Sequence, residues 1–214
     1  MATAWTPMPG ESWAGALSAF LGMWIMMTAA MMLPSLIPML RTYRRAIARP
    51  GAVNLPLLTG VAAAGYFVVW SAIGAALFPF GVVVAALEMN HAELESLRPF
   101  VVGAVVSIAG AYQLTKWKAR HLACCRSPVQ ARSLPGDFRT AWQQGVRLGA
   151  HCVRCCANLM VIAIVLGMMD PPVMVVLGGA ITLERVAPAG DRIARWTGAT
   201  SLIAGLLLVI RALP

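Results

Sequence analysis

Apolar residues in this chain do not alternate with polar ones; they gather into long blocks separated by short basic stretches. Reading for blocks broken by charge gives six candidate spans: Ser12 to Leu40, Leu55 to Phe80, Pro99 to Lys116, Cys152 to Met169, Pro172 to Val186 and Ile193 to Leu213. Most approach or exceed the roughly 17–25 residues that cross a bilayer as a helix. The pattern predicts an all-α, polytopic transmembrane helical bundle of about six spans, built as one domain over residues 1–214. Pro172 to Val186 is short for a crossing and carries Glu184 and Arg185 near its end. A tilted, broken or re-entrant helix is the alternative there. No Lys or Arg precedes the first block, Glu11 stands before it, and Pro34 and Pro38 interrupt it, so it reads as a retained helix rather than a cleaved signal.

Charge sets the direction. Of the 17 Lys and Arg residues, 15 fall on one side of the six-span arrangement. They follow span one (Arg41, Arg44, Arg45, Arg49), join spans three and four (Lys116, Lys118, Arg120, Arg126, Arg132, Arg139, Arg147, with Arg154 at the edge) and flank spans five and six (Arg185, Arg192, Arg195). Arg98 and Arg211 lie opposite, as do Glu11, Glu88, Glu93, Glu95 and Asp170. An excess of cations marks the cytoplasmic side, which places both termini outside and predicts a multi-pass chain in an inner (cytoplasmic) membrane. The net charge of +9 then reflects topology and anionic lipid headgroups, and nucleic acid is not an expected partner. The one sizeable polar segment, about 118–150, reads as a cytoplasmic loop, and Phe138, Trp142, Val146 and Leu148 give its later part an apolar side suited to the interface.

Composition agrees with a lipid solvent: 59% of the 214 residues are hydrophobic and 12% are charged. It also concentrates chemistry. All five cysteines and two of the three histidines lie in two windows, His121 to Cys125 and His151 to Cys156. The topology puts both windows on one face of the membrane, where they can meet. On a helix His151 with Cys155, and Cys152 with Cys156, are i, i+4 pairs, while Cys152 and Cys155 have CxxC spacing. Cys125, Cys152, Cys155 and Cys156, with His121, Cys124 and His151, therefore form a candidate soft metal site. Thiolate and imidazole favour copper(I) first, then zinc or iron, over magnesium or calcium. A structural disulfide is disfavoured by the reducing cytoplasm and by the strain of bridging adjacent cysteines.

Methionine adds a second sulfur source. Met23, Met27 and Met31 recur at i, i+4 and stack three thioethers along span one, which suits either a cuprous path or an adaptable packing face. Among intramembrane polar groups Glu184 is the first candidate for a pathway, ahead of Asn158, Asp170 and Glu88. His91 with Glu88 and Glu93 has ligand types for a weak divalent site in an outer loop, a combination more often without function.

Tyr112-Gln113-Leu114-Thr115, Lys118, Cys125-Arg126-Ser127-Pro128, Gly149, Cys155-Cys156, Leu159-Met160, Gly167-Met168-Met169 and Glu184-Arg185 together resemble a bacterial family described as predicted metal-binding integral membrane proteins. Met23-Trp24, Met27, Ala30-Met31-Met32 and Pro34 fit it too, so the resemblance runs from Met23 to Arg185. It implies a membrane-embedded metal-binding function. The chain departs from the family pattern where His121 and Cys124 stand with their residue types exchanged, and where Ala157 follows the second cysteine pair in place of an aromatic.

The expected function is copper(I) handling (delivery, storage or transport) near the cytoplasmic face, with lipid and the metal ion as partners. A membrane thiol oxidoreductase cycling Cys152/Cys155 against Cys124/Cys125 is one alternative, supported by CxxC spacing and Arg154. A non-catalytic subunit of a homo-oligomer or heteromeric membrane complex is another, since Ala62 to Gly65, Gly103, Ala104, Ala109, Gly110 and Gly178 to Ala180 permit close helix approach. No P-loop, HExxH or Gly-x-Ser-x-Gly is present, which leaves ATP-driven pumping or hydrolysis by those mechanisms without support.

Overall fold

The computed structural model describes Trp5 and residues 12–48, 54–90, 92–126, 136–167 and 170–213. Side chains at positions 92–96, Cys124 and Arg126 lie outside that description, as does His91. Among the described residues seven helices follow one another: α1 (Trp13–Ile47), α2 (Leu55–Asn90), α3 (Ala92–Gln113), α4 (Lys116–Arg126), α5 (Phe138–Gly167), α6 (Pro171–Val186) and α7 (Gly190–Ala212). The class is all-α, as the apolar blocks predict. Four helices, α1, α2, α5 and α7, are long and apolar enough to cross a membrane.

The third expected span is bent. Residues Leu97–Gln113 of α3 and Lys116–Ala123 of α4 meet at 64°, and together they amount to a broken span or a re-entrant loop. The break has a local cause. Thr115 N–H turns back to the Tyr112 carbonyl at 3.0 Å, and Thr115 Oγ1 accepts the Lys118 amide at 3.2 Å, which is an N-cap that starts a new helix. The segment from Phe138 to Leu148, expected to run into span four, is helical and continuous with it, since α5 runs unbroken for 30 residues. Asp137 caps its start: Oδ2 accepts the Thr140 amide at 3.1 Å, and hydrogen bonding from the Thr140 side chain, then from its amide, holds this exposed carboxyl below its usual pKa. The fifth expected span is α6, 16 residues opened by Pro171 and Pro172, where missing amides cost a helix nothing.

Helix α5 is the centre of the bundle. In its most apolar stretch 56% of residues are buried, against 17% for α2 and 17% for α7, and α2, α3, α4 and α6 all pack on it. α1 lies against α2 and α6, while α7 packs along α3. The outward faces keep large apolar side chains exposed, among them Met26, Phe80, Ile108, Val175 and Ile210. A surface of this kind suits lipid.

Close approach of α2 and α5 rests on glycine. A Cβ on Gly145 would meet the carbonyl oxygen of Ala62, and one on Gly65 would lie 2.9 Å from the Trp142 carbonyl. Gly145→Ala is therefore expected to lower stability by about 1–3 kcal/mol through overpacking. Gly179→Ala, with nothing within 4 Å, is expected to be neutral or slightly stabilising. Thermal unfolding of the two variants in detergent checks the contrast.

Candidate metal site

The site forms where α1, α2, α5 and α6 meet around one thiol. Cys152 is fully buried on α5, and its Sγ touches groups from four helices. Tyr66 of α2 donates its hydroxyl at 3.0 Å, and Arg185 of α6 donates Nη1 at 3.1 Å. The thioether of Met32, on α1, lies at 3.8 Å, and Cys156, one turn along α5, lies at 3.8 Å. Cys155 Sγ continues the chain of sulfurs, 3.4 Å from Cys156.

The first cysteine window reaches the second. Cys125 on α4 donates its thiol to the His151 carbonyl of α5 at 3.2 Å. The two windows thus meet at α4 and α5. Cys125, Cys152, Cys155 and Cys156 are free thiols, each at most 5% exposed. His121 sits elsewhere: its ring packs edge-on against Trp117, with centroids 4.0 Å apart. His151 contributes its backbone carbonyl to the cluster, and the Cys124 side chain lies outside the described residues.

Met27 and Met31 are buried in the core that contains the thiols, and Met23 packs against that core. The methionine that meets Cys152 is Met32, one position off the i, i+4 stripe, while Met31 faces Gly178 of α6. Met39, two turns further along α1, receives Arg185 Nη2 at 2.8 Å. Pro34 and Pro38 fall within this stretch and remove two amide donors from α1 where it lines the site.

Two residues expected to flank spans as headgroup cations are buried here instead. Lys118 is 1% exposed and forms an ion pair with Glu184 at 3.3 Å. It also reaches the Cys155 carbonyl and, at 3.4 Å, Asn158 Oδ1. Gln113 completes the set by donating to Glu184 and accepting from Asn158. This polar tetrad ties α3, α4, α5 and α6 together directly behind the thiols. Arg185, 7% exposed, bonds Ser35 Oγ at 2.9 Å besides Cys152 and Met39. A cation at a span end gives no sequence signal that separates lipid-facing from inward-facing groups; of Glu184 and Arg185, the sequence singles out Glu184 alone, as a pathway candidate.

The donor set is soft throughout: thiols, one thioether and a neighbouring second thioether. Among the described residues no three His, Cys, Asp or Glu side chains stand as a preformed metal cage. A cuprous ion does not require one, because soft thiolate and thioether donors select it in low coordination.

The chain matches the PpoB2 copper chaperone family over residues 21–208. It belongs to that family. No curated protein and no solved structure matches it. Membership accords with the metal-binding character expected from the sequence and supports a copper-related function.

Proposed function

We propose that this copper chaperone family member is an integral inner-membrane protein that receives copper(I) in the buried Cys152 site and passes it on to a recipient protein. The observation that carries the reading is the meeting of Cys152, Cys156 and Met32 sulfurs from two helices at 3.8 Å, with Cys155 and Cys125 adjoining. Copper is the cargo. Binding between two thiols and the ion forms two sulfur–copper bonds and releases two protons to the aqueous phase, with no change of oxidation state. The separation of Cys152 and Cys156 is slightly less than two thiolate bonds of about 2.3 Å would span, so a small rotamer adjustment admits the ion.

Burial supports carriage over thiol exchange. A redox pair needs an attacking thiolate that a partner disulfide can reach, and the four described thiols are closed off by α1, α2, α4 and α6. The apolar outer faces support residence in lipid, and the expected topology, with six crossings and both termini outside, is retained in this proposal. Zinc and iron remain comparators for the metal assay.

The test is metal analysis of gently purified protein beside the Cys155→Ser/Cys156→Ser double variant. Copper well above zinc in the parent, and loss of that copper in the variant, is the expected result. Equal copper and zinc contents in the two proteins would sink the proposal.

A further inference from the structure

Arg185 has an arrangement that the copper-carrying role alone does not explain. It is nine-tenths buried, its Nε has no hydrogen-bond partner, and among the described residues it takes part in no ion pair. The nearby carboxylate of Glu184 is committed to Lys118 and Gln113. What surrounds the guanidinium is a hydroxyl, a thiol and a thioether: Ser35, Cys152 and Met39. A buried cation without an anion is costly, and a protein retains one where an anion arrives.

We infer that Arg185 is the counter-charge of the metal-thiolate unit and that it sets the site's preference for a monovalent ion. The inference rests on the proposed copper carriage and concerns charge. Two neutral thiols that bind a cuprous ion and release their two protons to water become, with the ion, a unit of charge −1, which Arg185 at 3.1 Å from Cys152 neutralises. Lys118 and Glu184 cancel each other and leave this balance unchanged. A divalent ion held by the same two thiolates is neutral, so the guanidinium stays uncompensated. Zinc must recruit a third thiolate to reach the same balance, and that requires Cys155 or Cys125 to leave its present partners. Arg185 touches the ligand sulfur rather than the ion, so it acts as a positioning and charge-setting residue.

The experiment measures copper(I) and zinc(II) affinities by competition with chromophoric chelators, using detergent-solubilised parent, Arg185→Met, Arg185→Gln and Arg185→Lys. Removing the charge is expected to lower copper(I) affinity about 10–100-fold, the range for a residue that supports a ligand. Zinc(II) affinity should hold or rise, and Arg185→Lys should lie closer to the parent than to Arg185→Met. An unchanged copper-to-zinc ratio in the neutral variants overturns the inference, whether both affinities stay or both fall together as a purely structural role requires. Should Arg185→Met fail to fold, Arg185→Gln against Arg185→Lys decides the same ratio. A parent protein with no preference for copper over zinc overturns the carriage reading and this inference together, whereas a copper-selective parent with an unaltered ratio removes the inference alone.

Discussion

Lys118→Met is expected to destabilise the protein by about 3–5 kcal/mol, the cost of breaking a buried ion pair from one side. Both partners are almost wholly enclosed, at 1% and 2% exposure, so solvent screening does not soften the loss. Removing the ammonium leaves the Glu184 carboxylate with Gln113 as its remaining described side-chain donor from α3, and strips Asn158 and the Cys155 carbonyl of a donor. Three helices, α4, α5 and α6, lose their shared tie at once. The double variant Lys118→Met/Glu184→Gln is expected to be more stable than Lys118→Met alone, because the uncompensated charge disappears with the carboxylate. Denaturant unfolding in detergent, followed by tryptophan fluorescence, gives the cycle. Strictly additive losses would mean that the pair is decoupled and the tetrad does not hold α4 against α5 and α6.

That same lysine shows where sequence reasoning reaches its limit. The helical class, the long apolar elements and the meeting of the two cysteine windows were readable, because they depend on local periodicity and on the order in which basic stretches separate apolar blocks. Cys152 and Cys156 could be paired from i, i+4 spacing alone. The identity of the methionine at the site could not. A stripe of Met23, Met27 and Met31 names a helix face, yet which face meets α5 is settled by how α1 leans on α2 and α6, and that brings Met32 to Cys152. Lys118 and Arg185 read as headgroup cations from their places near span ends, a reading blind to which way their side chains turn. Snorkelling toward headgroups and turning inward to a carboxylate or thiol begin from the same position near a span end. The break between α3 and α4 had a readable sign in Thr115, a residue that caps helices well, but no proline or glycine drew attention to it.

Cys152→Ser is expected to lower copper(I) affinity by more than about a hundredfold, beyond what loss of a supporting residue costs. Serine keeps the size and hydrogen-bonding capacity of the group, so Tyr66 and Arg185 retain a partner and the fold should stand. What disappears is the soft sulfur, and a hydroxyl oxygen is a poor ligand for a cuprous ion. The loss should be graded outward from this residue. Cys156→Ser and Met32→Leu each remove one sulfur at 3.8 Å from Cys152 and should follow it in that order, since a thiolate binds more strongly than a thioether. His121→Ala should change affinity by less than about tenfold, because its ring is packed on Trp117 of the same helix. Competition with a copper(I)-specific chelator ranks the four variants. If His121→Ala falls as far as Cys152→Ser, the ion is held at His121 on α4, and the four-helix meeting point around Cys152 is a packing arrangement rather than a binding site.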